Sequence, residues 1–170
     1  MKIKILFFYI GLVFFSIGIT VQAKTETLDI ATFVPPQGWQ RQARQGLVTF
    51  TNIDNKNKTF CVIGVYASRQ SSGNADQDFK KEWNDLAVKP LGATDKPAFQ
   101  KTSQEGWNVI VGATNALGDA GEYYVTLSTF SGYGRVTSVI ITYNHDSYLK
   151  DIDTFFNNLD LAKGPVSPNS

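Results

Sequence analysis

The chain has 170 residues, of which 42% are hydrophobic, and its 16 Lys and Arg against 15 Asp and Glu give a net charge of +1. This hydrophobic content excludes a disordered chain, and the near-zero charge excludes a broad basic surface for nucleic acid. A single cysteine and a single histidine exclude a disulfide framework and any cysteine-built zinc or iron–sulfur centre. We therefore expect no cofactor.

Residues 1–23 have the pattern of a secretory signal peptide. Two lysines precede an apolar run from Ile5 to Val21, and Ala23 supplies a small residue at the cleavage point. A run of about 17 residues falls short of the roughly 20 that span a bilayer, so cleavage is favoured over an uncleaved anchor. Position 24 is Lys rather than the Cys of a lipoprotein. We expect a periplasmic or secreted protein without stable membrane insertion after cleavage.

The first half of the remaining chain is predicted to form strands. Alternating apolar residues and turn signals indicate a lead-in segment, a hairpin of two strands and a strand that is apolar on both faces. These are Leu28–Val34, the hairpin of Trp39–Ala43 and Leu47–Asn52, and Thr59–Ala67.

A helix over Ala75–Val88 is predicted next. Phe79, Trp83 and Leu86 repeat at i, i+4 and i+7 and define its apolar face. Pro90 is expected to end the helix.

The same helix carries a cluster of four carboxylates that could be imagined as a cation site. They are Asp76, Asp78, Glu82 and Asp85. Lys80 and Lys81 are interleaved with them, and no calcium-loop spacing occurs. The favoured interpretation is a solvated helix face.

The second half of the chain is predicted to form successive antiparallel strands, because the connections are too short for parallel crossovers. These strands are Phe99–Ser103, Trp107–Leu117, Glu122–Phe130 and Arg135–Tyr143. Gly64 and Gly112, inside strands, indicate a bulge or close approach of a helix.

A closing amphipathic helix is expected after Asp146 or Ser147 as N-cap. Its apolar side is Leu149, Ile152, Phe155, Phe156 and Leu159. Leu161 is expected to dock on the core.

The order of three strands, helix, four strands and helix predicts a single α+β domain over residues 24–163. The economical architecture is an α/β/α sandwich, in which one helix covers each face of a mainly antiparallel sheet of about seven strands. Residues 164–170 are expected to be a disordered C-terminal tail. We expect a monomer.

The chain resembles the exported PsbP-like and DcrB-like families, over about residues 30–161. The features that carry the resemblance are the Phe-Val-Pro-Pro-Gln-Gly-Trp segment at 33–39, the Gly106-Trp107 hairpin, the Thr-Phe-Ser-Gly-Tyr-Gly turn at 129–134 and the closing helix. It is most similar to small secreted proteins of Bacteroidetes-type bacteria that have no assigned role. The resemblance implies an α/β/α sandwich and an accessory or binding role without catalytic residues. No metal or docking motif of the photosystem accessory proteins has a counterpart in this sequence.

The most suggestive candidate for ligand or partner contact is the turn from Ser131 to Arg135. Two glycines would let a ligand approach the backbone, Tyr133 offers a stacking face, and Arg135 offers a partner for an anion. Hairpin turn chemistry alone is the favoured alternative. The pattern lacks the strand-to-helix setting of a dinucleotide fingerprint.

For the other candidate residues, a purely structural role is favoured over a functional one. His145 next to Asp146 would need a nucleophile or further ligands to act in catalysis or metal binding, so a surface or cap-adjacent histidine is expected. Cys61 lies in the most apolar strand, where burial makes a thiol inert. The three tryptophans are expected to close the core rather than to stack on carbohydrate. They are Trp39, Trp83 and Trp107.

Two functional classes follow. The first is a non-enzymatic exported module that binds an envelope protein or a small ligand, in line with the missing catalytic motifs. The second is a small envelope enzyme, of hydrolase or isomerase type, with a minimal Asp, Tyr and Arg site that leaves no sequence signature. A deep pocket with convergent Asp, Tyr and Arg side chains would favour the enzyme.

Overall fold

The computed structural model describes residues 24–118 and 121–164. The predicted signal peptide, residues 1–23, lies outside the described residues, as do residues 165–170 of the predicted tail. Within the described part of the chain, no helix is long and apolar enough to cross a membrane.

The chain forms an α+β fold with eleven strands in the described residues. The strands are β1 Glu26–Leu28, β2 Ala31–Phe33, β3 Gln40–Arg44, β4 Leu47–Asp54, β5 Thr59–Tyr66, β6 Arg69–Gln70, β7 Ala98–Gln104, β8 Trp107–Gly118, β9 Gly121–Gly132, β10 Arg135–Tyr143 and β11 Asp160–Leu161. The helices are α1 Ala75–Trp83, α2 Lys89–Leu91 and α3 Leu149–Asn157.

Eight of these strands form one large sheet. Seven follow the order β3-β4-β5-β10-β9-β8-β7, and the short β6 pairs with β10. Every pairing is antiparallel, which confirms the predicted hairpins. The order places β5, β10 and β9 at the centre and leaves β3 and β7 at the two edges.

A second, three-stranded sheet has the order β1-β2-β11. The prediction of a single sheet of about seven strands is therefore not confirmed. The sequence predicts only a lead-in over Leu28–Val34, which contains β2, and docking of Leu161, because strands of two or three residues are too short to show an alternating pattern. Ala31 pairs with Leu161, 130 positions later, and such a distant pairing has no local signal.

The first helical segment runs further than predicted. Asn74 caps α1 by accepting from the amides of Asp76 and Gln77, as expected. A π-helical turn over Asn84–Val88 follows α1, and α2 contains Pro90. The prediction that Pro90 ends the helix is wrong, because Pro90 directly follows a π-helical turn, in which the Lys89 amide already bonds the carbonyl five residues back, and the widened turn accommodates the proline ring. The segment ends at Gly92, whose φ of +65° suits a residue without Cβ.

The C-terminal helix begins differently from the prediction. His145, rather than Asp146 or Ser147, is the cap, and its Nδ1 accepts from the Ser147 amide at 3.1 Å. A 3₁₀ turn, Asp146–Tyr148, precedes α3. Leu149, expected on the apolar side, is exposed, because the 3₁₀ turn shifts the phase of the helix and buries Tyr148 instead.

Two hydrophobic clusters form the core. The first joins β2, β4, β5 and β10 to α3, and its largest members are Phe33, Phe50, Ile63, Ile141 and Phe155. The second joins β8 and β9 to the first helical segment, with Phe79, Trp83, Ile110, Val125 and Leu127. Cys61 is fully buried in the first cluster, as predicted.

Gly112 marks the predicted close approach of a helix. A Cβ at this position would lie 2.5 Å from Cζ of Phe79 and 3.1 Å from Cε3 of Trp83. The two rings stack with centroids 5.8 Å apart. The absence of a side chain at Gly112 is therefore what lets α1 rest on β8.

Candidate functional site

A cavity of about 430 Å³ lies between β7, β8 and β9 of the large sheet and the C-terminal segment. We call it the C-terminal cavity. Its apolar floor consists of Trp107, Val109, Phe130, Phe156, Leu159 and Leu161, and its polar rim consists of Thr102, Gln104, Glu105, Asn157 and Asp160. The volume is that of a site for a small molecule or one large side chain.

The sheet side of the cavity follows from strand register. Val109 pairs with Phe130 on one side and with Thr102 on the other, and Gln104 pairs with Trp107. Directly paired residues of antiparallel strands have side chains on the same face, so these five residues share the face toward α3.

The rim of the cavity is acidic. Glu105 and Asp160 are its two ionisable residues, and both are carboxylates. Lys163 is the neighbouring cation, and its Nζ lies 2.5 Å from Glu105 Oε2. The hydrogen bond and charge of Lys163 hold the pKa of Glu105 below its usual value. The rim with Lys163 included therefore has one net negative charge and favours a neutral or cationic ligand.

Trp107 forms one end of the floor and is 5% exposed. Its indole Nε1 is buried and has no hydrogen-bond partner among the described residues. The indole packs on Gly132, where a Cβ would lie 2.9 Å from Cε3 of the indole. Buried indole N–H groups usually have a partner, so the Trp107 indole N–H is a sensitive reporter of any change in the cavity floor.

The predicted contact residue Tyr133 packs against Trp107 of the cavity floor. Its ring meets the Trp107 ring edge-on at 5.2 Å, and its hydroxyl donates to the Glu105 carbonyl at 2.7 Å. Tyr133 and Gly134 have φ of 51° and 74°, the signature of a type I′ hairpin turn. Tyr133 is half exposed and supports the Glu105 turn at the cavity rim.

The structure does not bring Ser131 and Arg135 together. Ser131 pairs with Val136 and Arg135 with Gly132, so the two side chains lie on opposite faces of the sheet. Ser131 is buried, and its hydroxyl has no hydrogen-bond partner by geometry among the described residues. The interpretation of this turn as a contact site stays a prediction, with Tyr133 its exposed member.

Arg135 connects the two sheets. Its Nε donates to Ser68 Oγ at 2.6 Å, and its Nη2 lies 3.1 Å from Asp29 Oδ2. Asp29, in the β1–β2 turn, also accepts from the Ser68 amide at 2.8 Å. Burial alone would raise the pKa of Asp29, but the Ser68 hydrogen bonds and the Arg135 charge outweigh it and lower the pKa. The guanidinium already has an anionic partner within the chain.

Two carboxylates predicted to be solvated are buried. Asp78 is 1% and Glu82 8% exposed. Asp78 accepts from Ser71 Oγ at 2.5 Å and from the Ser72 amide at 2.8 Å. Burial opposes ionisation of Asp78, but these hydrogen bonds outweigh it and lower the pKa.

The solvated-face interpretation is wrong for this pair, because the buried face of α1 is wider than its Phe79 and Trp83 stripe. Each carboxylate precedes one of these aromatic residues and shares its side of the helix. No local pattern separates a buried carboxylate from a solvated one, because the partners come from outside α1: Ser71 and Ser72 for Asp78, and Arg69 and Ser138 for Glu82.

The remaining candidates have structural partners. His145 caps the C-terminal helix. Burial, with a smaller contribution from Asp151, raises the pKa of Cys61 to about 12. Trp83 and Trp107 are buried as predicted, and Trp39 is partly buried, 6.0 Å edge-on from Tyr148. Within the described residues, no group of three or more His, Cys, Asp or Glu could hold a metal ion.

Sequence reasoning missed the C-terminal cavity. Its floor combines residues of β8 and β9 with residues of α3 and the segment after it, and of these only Trp107 had been weighed as a possible binding residue. The available signal was Leu159 and Leu161, apolar residues that follow α3. Leu159 was placed on the apolar side of the helix and Leu161 was expected to dock on the core, but the gap beside β8 was not predicted.

The sequence matches no protein-family model and no curated protein. The fold is similar to a crystal structure of a protein from Bacteroides thetaiotaomicron VPI-5482, with a TM-score of 0.50 and 14% sequence identity. The similarity covers 78% of this chain and 45% of that protein. This chain thus spans less than half the length of this structural neighbour, and the likeness concerns the fold alone.

Proposed function

We propose that this protein is an exported, non-enzymatic accessory or binding module, and that its binding site is the C-terminal cavity. The observation that supports this is the cavity itself, a space of about 430 Å³ with an aromatic and aliphatic floor and a polar rim. Sites for small molecules and single side chains have this composition, because the floor supplies affinity and a few polar groups fix orientation.

The groups that could perform chemistry are engaged elsewhere. Asp78 and Glu82 are held in buried hydrogen-bond networks, Arg135 is held by Asp29, and the Cys61 thiol is buried. The C-terminal cavity has no arginine in its lining. The binding module is therefore favoured over the envelope enzyme with an Asp, Tyr and Arg site.

The proposed architecture is an α/β/α sandwich with one helical segment on each face of the large sheet. Ile140 and Ile141 are neighbours in β10 and therefore lie on opposite faces. Ile141 belongs to the cluster of Phe155, and Ile140 packs against the cluster of Phe79. This arrangement supports the PsbP-like resemblance, which remains a proposal together with cleavage after Ala23 and a monomeric state.

The test is a nuclear magnetic resonance titration with two matched small probes. We expect phenethylamine, an aromatic ammonium, to shift the Trp107 indole resonance, and phenylacetate, its anionic counterpart, to bind more weakly because the rim is acidic. Val109→Phe should fill the cavity and abolish binding. Val111→Phe, on the same strand and face but outside the lining, is the matched control. Failure of both probes to affect Trp107 would contradict the proposed site.

A further inference from the structure

Strand β7 is a long edge strand whose outer side is unoccupied within the described residues. It pairs with β8 and ends the strand order of the large sheet. All seven of its residues, Ala98–Gln104, are exposed. Alternate residues of such an edge direct their N–H and C=O groups away from the sheet, where another strand can pair with them.

The usual protection of an edge is weak in β7. Lys101 is its single charged residue, and its ammonium is paired with Asp76 of α1 and lies 5.4 Å from the centroid of the Phe99 ring. Phe99 remains 57% exposed. The opposite edge, β3, carries two arginines in five residues. Arg41 of β3 is itself paired with Glu26, so β3 keeps one arginine, Arg44, without an ion-pair partner among the described residues, whereas the single cation of β7 is paired.

Cavities lie beside β7 on both faces. Thr102 and Gln104 contribute to the C-terminal cavity on the face toward α3. Lys101 and Ser103, on the other parity, contribute to a second cavity of about 330 Å³ next to the start of α1. An extended peptide directs its side chains alternately to the two faces, so an edge with a cavity on each side fits a peptide strand.

The chemistry of the two cavities specifies the peptide. An added strand lies about 4.8 Å from β7, so an aromatic side chain on the face toward α3 lies beside Thr102 and Gln104 and extends over β7 toward Val109. Glu105 and Asp160 at the rim favour a basic side chain two positions away, on the same face of the peptide. The second cavity, bordered by Asp76, Lys101 and Asn108, suits small polar side chains.

We propose that β7 binds an extended peptide of a partner protein by strand addition, with an aromatic side chain in the C-terminal cavity and a flanking basic side chain at its acidic rim. This inference rests on the proposed function, because it assigns the ligand of the same cavity.

The probe is the peptide acetyl-Ser-Lys-Ser-Phe-Ser-Lys-Ser-amide, in which Phe and both Lys share one face of a strand. It is titrated into the protein expressed from its full-length coding sequence, and the amides of β7 and the Trp107 indole are followed by nuclear magnetic resonance. Two further peptides carry backbone N-methyl groups, one at residues 2, 4 and 6 and the other at residues 3 and 5. Strand addition predicts that one methylated peptide binds at least about tenfold more weakly and the other nearly normally, since only alternate N–H groups face β7.

Side-chain recognition is tested separately. We expect peptides in which Glu replaces Lys, or Ser replaces Phe, to lose binding. The protein variant that combines Glu105→Gln with Asp160→Asn should bind the parent peptide about two- to fivefold more weakly. Glu122→Gln, an exposed carboxylate on β9 outside the cavity lining, is the matched control. Equal sensitivity to both methylation patterns would overturn strand addition.

The outcomes separate the two proposals. If phenethylamine binds at Trp107 and the peptide does not, the proposed function stands and the peptide inference is wrong. If neither binds, both are wrong. If the apparent molecular mass of the protein in solution increases with its concentration, and Phe99→Lys removes this increase, a second copy of the chain occupies β7. That result also overturns the inference.

Discussion

Arg69 Nε lies 2.6 Å from Glu82 Oε1, and this largely buried ion pair ties the first helical segment to the large sheet. The other carboxylate oxygen of Glu82 accepts from Ser138 Oγ at 2.7 Å. Ser138 is fully buried on β10. One carboxylate thus satisfies donors from β6 and β10 while its own charge is compensated by the arginine.

We expect Glu82→Ala to lower the free energy of unfolding by about 2–4 kcal/mol, because it leaves the Ser138 hydroxyl and the Arg69 guanidinium without their acceptor. The measurement is the midpoint of urea unfolding at unchanged slope. Asp85→Asn is the control on the same helical segment, where two exposed lysine pairs are removed, and it should have a much smaller effect. Equal losses for the two variants would show that burial of Glu82 does not matter.

Gly112→Ala should destabilise the protein by about 1–3 kcal/mol, because the added methyl group overlaps the Phe79 ring and forces α1 away from β8. Gly164→Ala adds the same methyl group at a position where no atom of the described residues, its chain neighbours aside, lies within 4 Å. The thermal midpoints of the two variants are compared with that of the parent. If Gly112→Ala has the same thermal midpoint as the parent, the close contact between α1 and β8 at Gly112 is contradicted.

Cys61 should resist thiol reagents in the native protein and react only after unfolding. Burial raises its pKa to about 12, so almost no thiolate exists near pH 8 even before access is considered. Labelling is followed by mass with and without denaturant. Cys61→Ser should cost about 1–3 kcal/mol, since it buries a hydroxyl in an apolar cluster. Rapid native labelling would contradict the position of β5 inside the sheet.

Stability should fall in acid. The pKa of Asp78 is lowered from its ordinary value of 3.8, so the folded state favours the ionised form. The stabilisation of the folded state by ionised Asp78 is complete above about pH 5, and it is lost as the pH falls through 3.8 toward the pKa of Asp78 in the folded protein. Asp78→Asn should be less stable than the parent at pH 7 and lose less stability between about pH 5 and pH 2.5. Parallel curves of thermal midpoint against pH for parent and variant would exclude Asp78 as a contributor.

Export should remove residues 1–23 and leave a protein that begins at Lys24, because Ala23 provides the small residue that signal peptidase requires. Intact mass of the protein recovered from its native host is the measurement. Recovery of the full-length chain from a membrane extract would contradict a cleaved signal.

The sequence by itself determined most of the large sheet and both main helical segments. Turn residues such as Gly106 and Gly134 fixed the hairpins, because a two-residue connection with positive φ permits only antiparallel neighbours. The spacing of Phe79 and Trp83 fixed the helix that carries them. These features depend on interactions between residues close in the chain, which a single sequence reveals.

Only the tertiary structure decided which polar groups are buried and where the cavity lies. Glu82 meets Arg69 and Ser138 through the packing of a helix on two strands, and Ala31 meets Leu161 from near opposite ends of the described chain. The C-terminal cavity is likewise a gap between Val109 on β8 and Leu159 after α3. Such contacts join segments far apart in sequence, and their geometry depends on how whole elements pack, so no local pattern of residues specifies them.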